Sequence, residues 1–213
     1  MRESSPSHTT VDPFQDDAPL GPELYSFNPR KTNWLNSTCS LLVIGDKTER
    51  PGPHSRNLDI LRWALTVGRT PEALGRHTGL AAYGAWAKQI RSDADFKTDD
   101  ERVLQSRHEV HNTAVGMVAE CRWAASEFLK TIAGDEPAMG SDLLAAAGLF
   151  RQEHDLMWQV WNLVGGNGNP RAFVKFALPE VRRQISSIIL EALRLDERAL
   201  NSIESALAKQ SGR

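Results

Sequence analysis

The chain has 213 residues, 40% of them hydrophobic and 24% charged, enough for one mid-sized globular domain with a substantial core. A formal net charge of −2 without a Lys/Arg cluster leaves no electrostatic footprint for DNA or RNA, and no apolar run approaches the roughly 18 residues of a membrane span. Cys39 and Cys121 are too few for a disulfide framework, and Met1-Arg-Glu-Ser-Ser-Pro-Ser-His lacks the basic and apolar regions of a signal peptide, so the expectation is a cytoplasmic protein that binds neither nucleic acid nor membrane.

Residues 1–26 carry Pro6, Pro13, Pro19 and Pro22 among acids and hydroxyls. Such a stretch buries too little apolar surface to offset its ordering entropy, which predicts a disordered tail. A linker over 27–54 contains Cys39-Ser-Leu-Leu-Val-Ile44, an apolar run closed by Gly45-Asp46 and Pro51-Gly52-Pro53. This predicts a strand at 39–44 with no second strand to take up its backbone hydrogen bonds. An unpaired edge of that kind invites a protein partner or a second copy of the chain.

Over 55–210 the pattern is helical. Ser55 is placed to cap a helix running to Arg69, whose apolar residues Leu58, Ile60, Leu61, Trp63, Leu65 and Val67 nearly encircle it and imply heavy burial. Thr78 opens a second helix with Tyr83, Trp86 and Ile90 on one side. Asp99 or Asp100 starts the longest helix, to about Gly134, with an expected core stripe of Val103, Val110, Ala114, Met117, Cys121, Ala124, Phe128 and Ile132. Ser141 is the expected cap of a fourth helix, closed by Gly165-Gly-Asn-Gly-Asn-Pro170, and Pro179 begins the last. The fold class is therefore mainly α, an antiparallel bundle of about five helices with one short orphan strand and a disordered N-terminal tail.

Glu153 stands in the middle of the fourth helix's apolar stripe of Leu149, Met157 and Val160, and Asp196 lies among Ile189, Leu193, Leu200 and Ile203 of the last helix. A buried charge must be neutralised, paired or hydrogen-bonded, so each acid marks either a structural network or a site. Across the short turn between the third and fourth helices Glu120 stands level with Glu153 and Arg122 with Arg151, which lets Arg122 swing in to Glu153 from the margin of its own stripe. Two readings follow. One is a buried Arg–Glu network that fixes helix register. The other is a pocket lined by Tyr83, Trp86, Arg122, Met157, Trp161 and Asp196, in which Glu153 is a general acid or base of raised pKa.

His77, His108, His111 and His154, with Glu109, Glu153 and Asp155 near them, raise the question of a metal. A di-iron bundle needs an acid and a His at i, i+3 on inward faces, whereas Glu153 and His154 are adjacent and His108 is expected to project away from the core, so no metal is predicted. The Gly165–Pro170 loop lacks a phosphate loop's Lys-Ser/Thr, and neither a Gly-x-Ser-x-Gly motif nor a cysteine at a helix N-terminus occurs, so no cofactor and no serine or cysteine nucleophile is predicted.

Four runs, Leu41-Leu-Val-Ile-Gly-Asp-Lys47, Thr78-Gly-Leu-Ala-Ala-Tyr-Gly-Ala-Trp86, Ala119-Glu-Cys-Arg-Trp-Ala-Ala125 and Leu195-Asp-Glu197, resemble the C-terminal helical half of proteins related to the butirosin-biosynthesis acyltransferase H. In that family a papain-like Cys/His domain precedes the helical one, and the resemblance implies that strand 39–44 is the remnant of its sheet. The papain-like half has no counterpart here, which leaves acyl transfer without a nucleophile. The resemblance thus implies a truncated, non-catalytic accessory protein of a natural-product pathway that binds a small molecule or a protein. The alternatives are an enzyme using Glu153, and the helical half of a split acyltransferase or hydrolase.

Overall fold

A computed structural model describes residues 52–165 and 169–211. Tail 1–26 and strand 39–44 lie outside the described residues. The described chain is mainly helical, as expected from its periodicity. Its elements are α1 (Pro53–Arg69), a hairpin of β1 (Glu72–Ala73) and β2 (Arg76–His77), α2 (Gly79–Gln89), a single 3-10 turn (Asp93–Asp95), α3 (Glu101–Asp135), α4 (Gly140–Val164), the short α5 (Ala172–Phe176) and α6 (Pro179–Ser211).

Helix ends follow local chemistry, with two departures from expectation. Asp100 caps α3, its side chain accepting from the Arg102 amide at 2.9 Å, and Gly165 closes α4 at φ 102° in the left-handed region. Ser55 and Ser141, however, fall inside their helices. The proline in the first turn starts α1 from Gly52, because its fixed φ suits a position whose N–H would have no helical partner, and α4 starts from Met139. The hairpin between α1 and α2 pairs Glu72 with His77 and Ala73 with Arg76 around Leu74 and Gly75, at φ 52° and 72°. Two successive positive φ values are the geometry of a two-residue hairpin turn matched to strand twist. Nothing in the alternation of so short a stretch announces it.

α3 and α4 form an antiparallel hairpin, α6 lies along α4, and α1 and α2 pack on α6. The expected levelling across the α3–α4 turn holds: His154 Nδ1 lies 2.9 Å from the Ala119 carbonyl, and Arg122 reaches Glu153. Two apolar clusters fill the bundle. One joins Leu61, Ile132, Leu143, Phe150, Leu195 and Ile203 near that turn; the other joins Val115, Met157, Val160, Ile185 and Ile189 toward the opposite end. Each fully buried aliphatic side chain contributes about 1.5–3 kcal/mol relative to exposure.

The core face of α3 is not the expected one. Ile132 is buried as expected, but with it are His108, His111, Asn112, Val115, Ala119, Ser126, Leu129 and Ala133, while Val110 and Met117 are 69% and 63% exposed and Cys121 is also exposed. The buried set is turned about 130° from the expected stripe at 100° per residue. The spacing of three and four residues is the same on both faces. The face with the more apolar letters is the solvated one, because the other carries Arg122, whose guanidinium finds its partners on α2, α4 and α6. His108 accordingly points into the core, at 8% exposure, and not away from it. α1 departs in the opposite sense: only Asn57, Leu58 and Leu61 are buried, and Ile60, Trp63 and Val67 remain exposed.

Candidate functional site

The two apolar clusters meet at a polar layer built from four elements. α2 presents Tyr83, α3 Arg122, α4 Glu153 and α6 Asp196. Glu153 is wholly buried, and both its oxygens are occupied: the Tyr83 hydroxyl donates to Oε1, and Arg122 Nε donates to Oε2 at 3.0 Å. Arg122 Nη2 donates to the Tyr83 hydroxyl at 3.1 Å and to Asp196 Oδ2 at 2.6 Å, and its guanidinium lies 5.2 Å from the centre of the Phe150 ring. One guanidinium thus ties three neighbouring elements. Planar, multiply donating geometry suits Arg to this position, where Lys would supply a point charge.

Electrostatics follow from burial. Loss of water pushes the Glu153 carboxyl up to about 7; Arg122 pulls the other way, Asp196 adds to the rise, and the hydrogen bonds from Tyr83 and Arg122 oppose it. Burial also raises the Tyr83 phenol, against Arg122, so the hydroxyl stays a donor. For Arg122 burial favours the neutral form, but Tyr83, Glu153 and Asp196 outweigh it and hold the guanidinium charged. With Glu153 protonated the layer is neutral; with Glu153 ionised it carries one net negative charge.

Beside this layer lies a groove of about 710 Å³ between α1, α2, α3 and α6. Trp63 and Val67 of α1, Trp86 of α2, Phe128 of α3, and Leu200 and Ile203 of α6 form its walls, and Tyr83, Arg122 and Asp196 supply its polar side chains. Glu153 is not among the lining residues; Tyr83 and Arg122 stand between it and the groove. Gly68 and Gly79 bring α1 and α2 together at one end. A Cβ at Gly79, where φ is 51°, would lie 2.1 Å from the Gly68 carbonyl oxygen.

Of the residues singled out from sequence, the structure joins Glu153, Tyr83, Arg122 and Asp196 in one network and puts Trp86 on the adjoining wall. Met157 is buried in the second apolar cluster, and Trp161 packs edge-on against Trp158 at 5.5 Å; neither lines the groove. Sequence alone does not announce Phe150 beneath the guanidinium or the α1 wall, whose Trp63, Ile60 and Val67 are exposed and not buried as the pattern of α1 predicts. Nor does it announce Arg182, 2% exposed. Arg182 donates to the Ile90 carbonyl at 3.1 Å and to Asp93 at 2.5 Å with its guanidinium 4.2 Å from the Phe96 ring centre, pinning the start of α6 to the end of α2. An arginine at the fourth position of an amphipathic helix reads as solvated from sequence alone. Among the described residues no group of three or more His, Cys, Asp or Glu could hold a metal ion, and no helix is long and apolar enough to cross a membrane. No family model, curated protein or solved structure matches this chain.

Proposed function

We propose that the protein is a non-catalytic binding protein whose small-molecule ligand occupies the groove beside the Tyr83–Arg122–Asp196 layer. The observation that carries this reading is the groove itself: about 710 Å³ with apolar walls and a few convergent polar groups at one place, the form and size of sites that take drug-sized molecules. The layer's charge narrows the ligand. Arg122 is already matched by Asp196 and Glu153, so the polar end of the ligand is uncharged or cationic, and an anion is disfavoured.

Glu153 as general acid or base is the second reading. A carboxyl raised to about 7 is suited to proton transfer near neutrality, which favours it. Its complete burial, with both oxygens engaged and Tyr83 and Arg122 in front of it, weighs more heavily against it. An accessory role in a natural-product pathway, a truncated acyltransferase relative and the helical half of a split enzyme rest on the sequence resemblance. Pairing through residues 39–44 with a partner or a second copy rests on those residues' own chemistry.

Titration with N-phenyl-1-naphthylamine, a neutral apolar fluorophore, tests the proposal. One probe per chain is expected in the groove, and Ala125→Trp, which fills it from α3, should abolish binding while leaving the helical content intact. Unaltered binding to Ala125→Trp, or none to the natural sequence, would contradict a ligand site here.

A further inference from the structure

Trp86 also lines a second cavity, of about 380 Å³, with Phe96, the imidazole of His111, and Phe176 of α5 as its other rings. His111 is 5% exposed and stacks on Phe176, centroids 4.6 Å apart at 21°, with Trp86 tilted against it at 5.5 Å. Among the described residues neither of its ring nitrogens has a hydrogen-bond partner. Burial lowers the imidazole to about 3, with His108 acting in the same direction, so at neutral pH one nitrogen carries a hydrogen and the other a lone pair. Arg107 stands one turn before His111 on α3, its guanidinium 5.7 Å from the centre of the Phe96 ring.

A donor and an acceptor left unmatched at the wall of an aromatic cavity are costly, and a purely apolar occupant would leave them so. We propose that this cavity is a second binding site, for a flat phenol-like ligand whose ring packs among Trp86, Phe96 and Phe176 and whose hydroxyl pairs with the His111 imidazole. Both nitrogens are shielded from solvent, so seating requires a side-chain shift that uncovers one of them. The hydroxyl suits either nitrogen, since it donates to the lone pair or accepts from the N–H. A ring without a polar edge group gains only the packing. The site does not depend on the groove between α1 and α6, and the two share only Trp86.

The experiment is a titration of the full chain with phenol and with toluene, followed by the ring nitrogen resonances of His111. Phenol is expected to bind about tenfold more tightly than toluene, the factor of one net hydrogen bond, and to shift a His111 ring nitrogen. His111→Phe should bring phenol down to the affinity of toluene and leave N-phenyl-1-naphthylamine binding unchanged. Equal affinities for the two probes, an unmoved His111 resonance under saturating phenol, or absence of phenol binding would overturn the proposal. Should His111→Phe fail to fold, the affinity ratio and the resonance in the natural sequence decide it without the variant.

Discussion

Glu153 is held by its neighbours more than by its own preference for burial, and its substitutions should separate the two. Glu153→Ala leaves a cavity and takes both acceptors from Tyr83 and Arg122, a loss of about 3 kcal/mol, whereas Glu153→Gln keeps volume and one acceptor and should cost less. Thermal melts in which both variants match the natural sequence would remove Glu153 from any structural role. The pH dependence is a sharper probe. The folded state binds the Glu153 proton more tightly than the unfolded chain does, so this residue's contribution to stability is full below about 4.5 and is lost as pH rises through about 7. His111 is opposite: its folded pKa is depressed, so its contribution is present above about 6.5 and lost as pH falls toward 3. Between about 4.5 and 6.5 the two slopes oppose. Glu153→Gln should therefore make stability climb more steeply with pH in that window, and His111→Phe should make it flatter or falling; parallel profiles for all three proteins would contradict both assignments. At this scale Glu153 and Asp196 were legible, because an acid on an apolar stripe violates the pattern around it. His111 and Arg182 were not: a polar letter at a polar-looking helix margin violates nothing, and only neighbouring helices show that the margin is core.

At the scale of elements, α3 shows why periodicity finds a helix more readily than its orientation. Two faces of α3 carry the same three-and-four spacing, and the choice between them is made by the partners that Arg122 finds on α2, α4 and α6, which no local count contains. Helix existence was legible throughout except for α5, which at five residues is shorter than the period needs. The junction of α1 with α2 is the element-scale feature most open to test. Gly79→Ala places a Cβ against the Gly68 and Val67 carbonyls in a left-handed conformation, which should cost a few kcal/mol and loosen the end of the groove. Leu74 is fully exposed at φ 52°, where Asn is better tolerated, and Leu74→Asn should stabilise by about 0.5–1 kcal/mol. Chemical denaturation of the two variants checks both signs; a neutral Gly79→Ala would show that α1 and α2 do not meet as closely as described.

For the molecule as a whole, the mainly helical class and the antiparallel pairing of α3 with α4 were legible in hydrophobic period and turn chemistry, because these are short-range. The groove was not. It exists where α1, whose apolar residues nearly encircle it, buries one narrow face on α6 and leaves Trp63 and Val67 lining a space that a tighter packing would have closed. A binding protein of this design should place its ligand against α1 and α6 without disturbing the deep core. Methyl resonances of Ile, Leu and Val during titration with N-phenyl-1-naphthylamine measure this directly. Shifts should concentrate at Ile60, Leu61, Val67, Val118, Leu200 and Ile203, with Leu143, Ile185 and Ile189 unmoved. Shifts spread through the core, or confined to methyls away from the groove, would contradict the assignment of the groove as the ligand site.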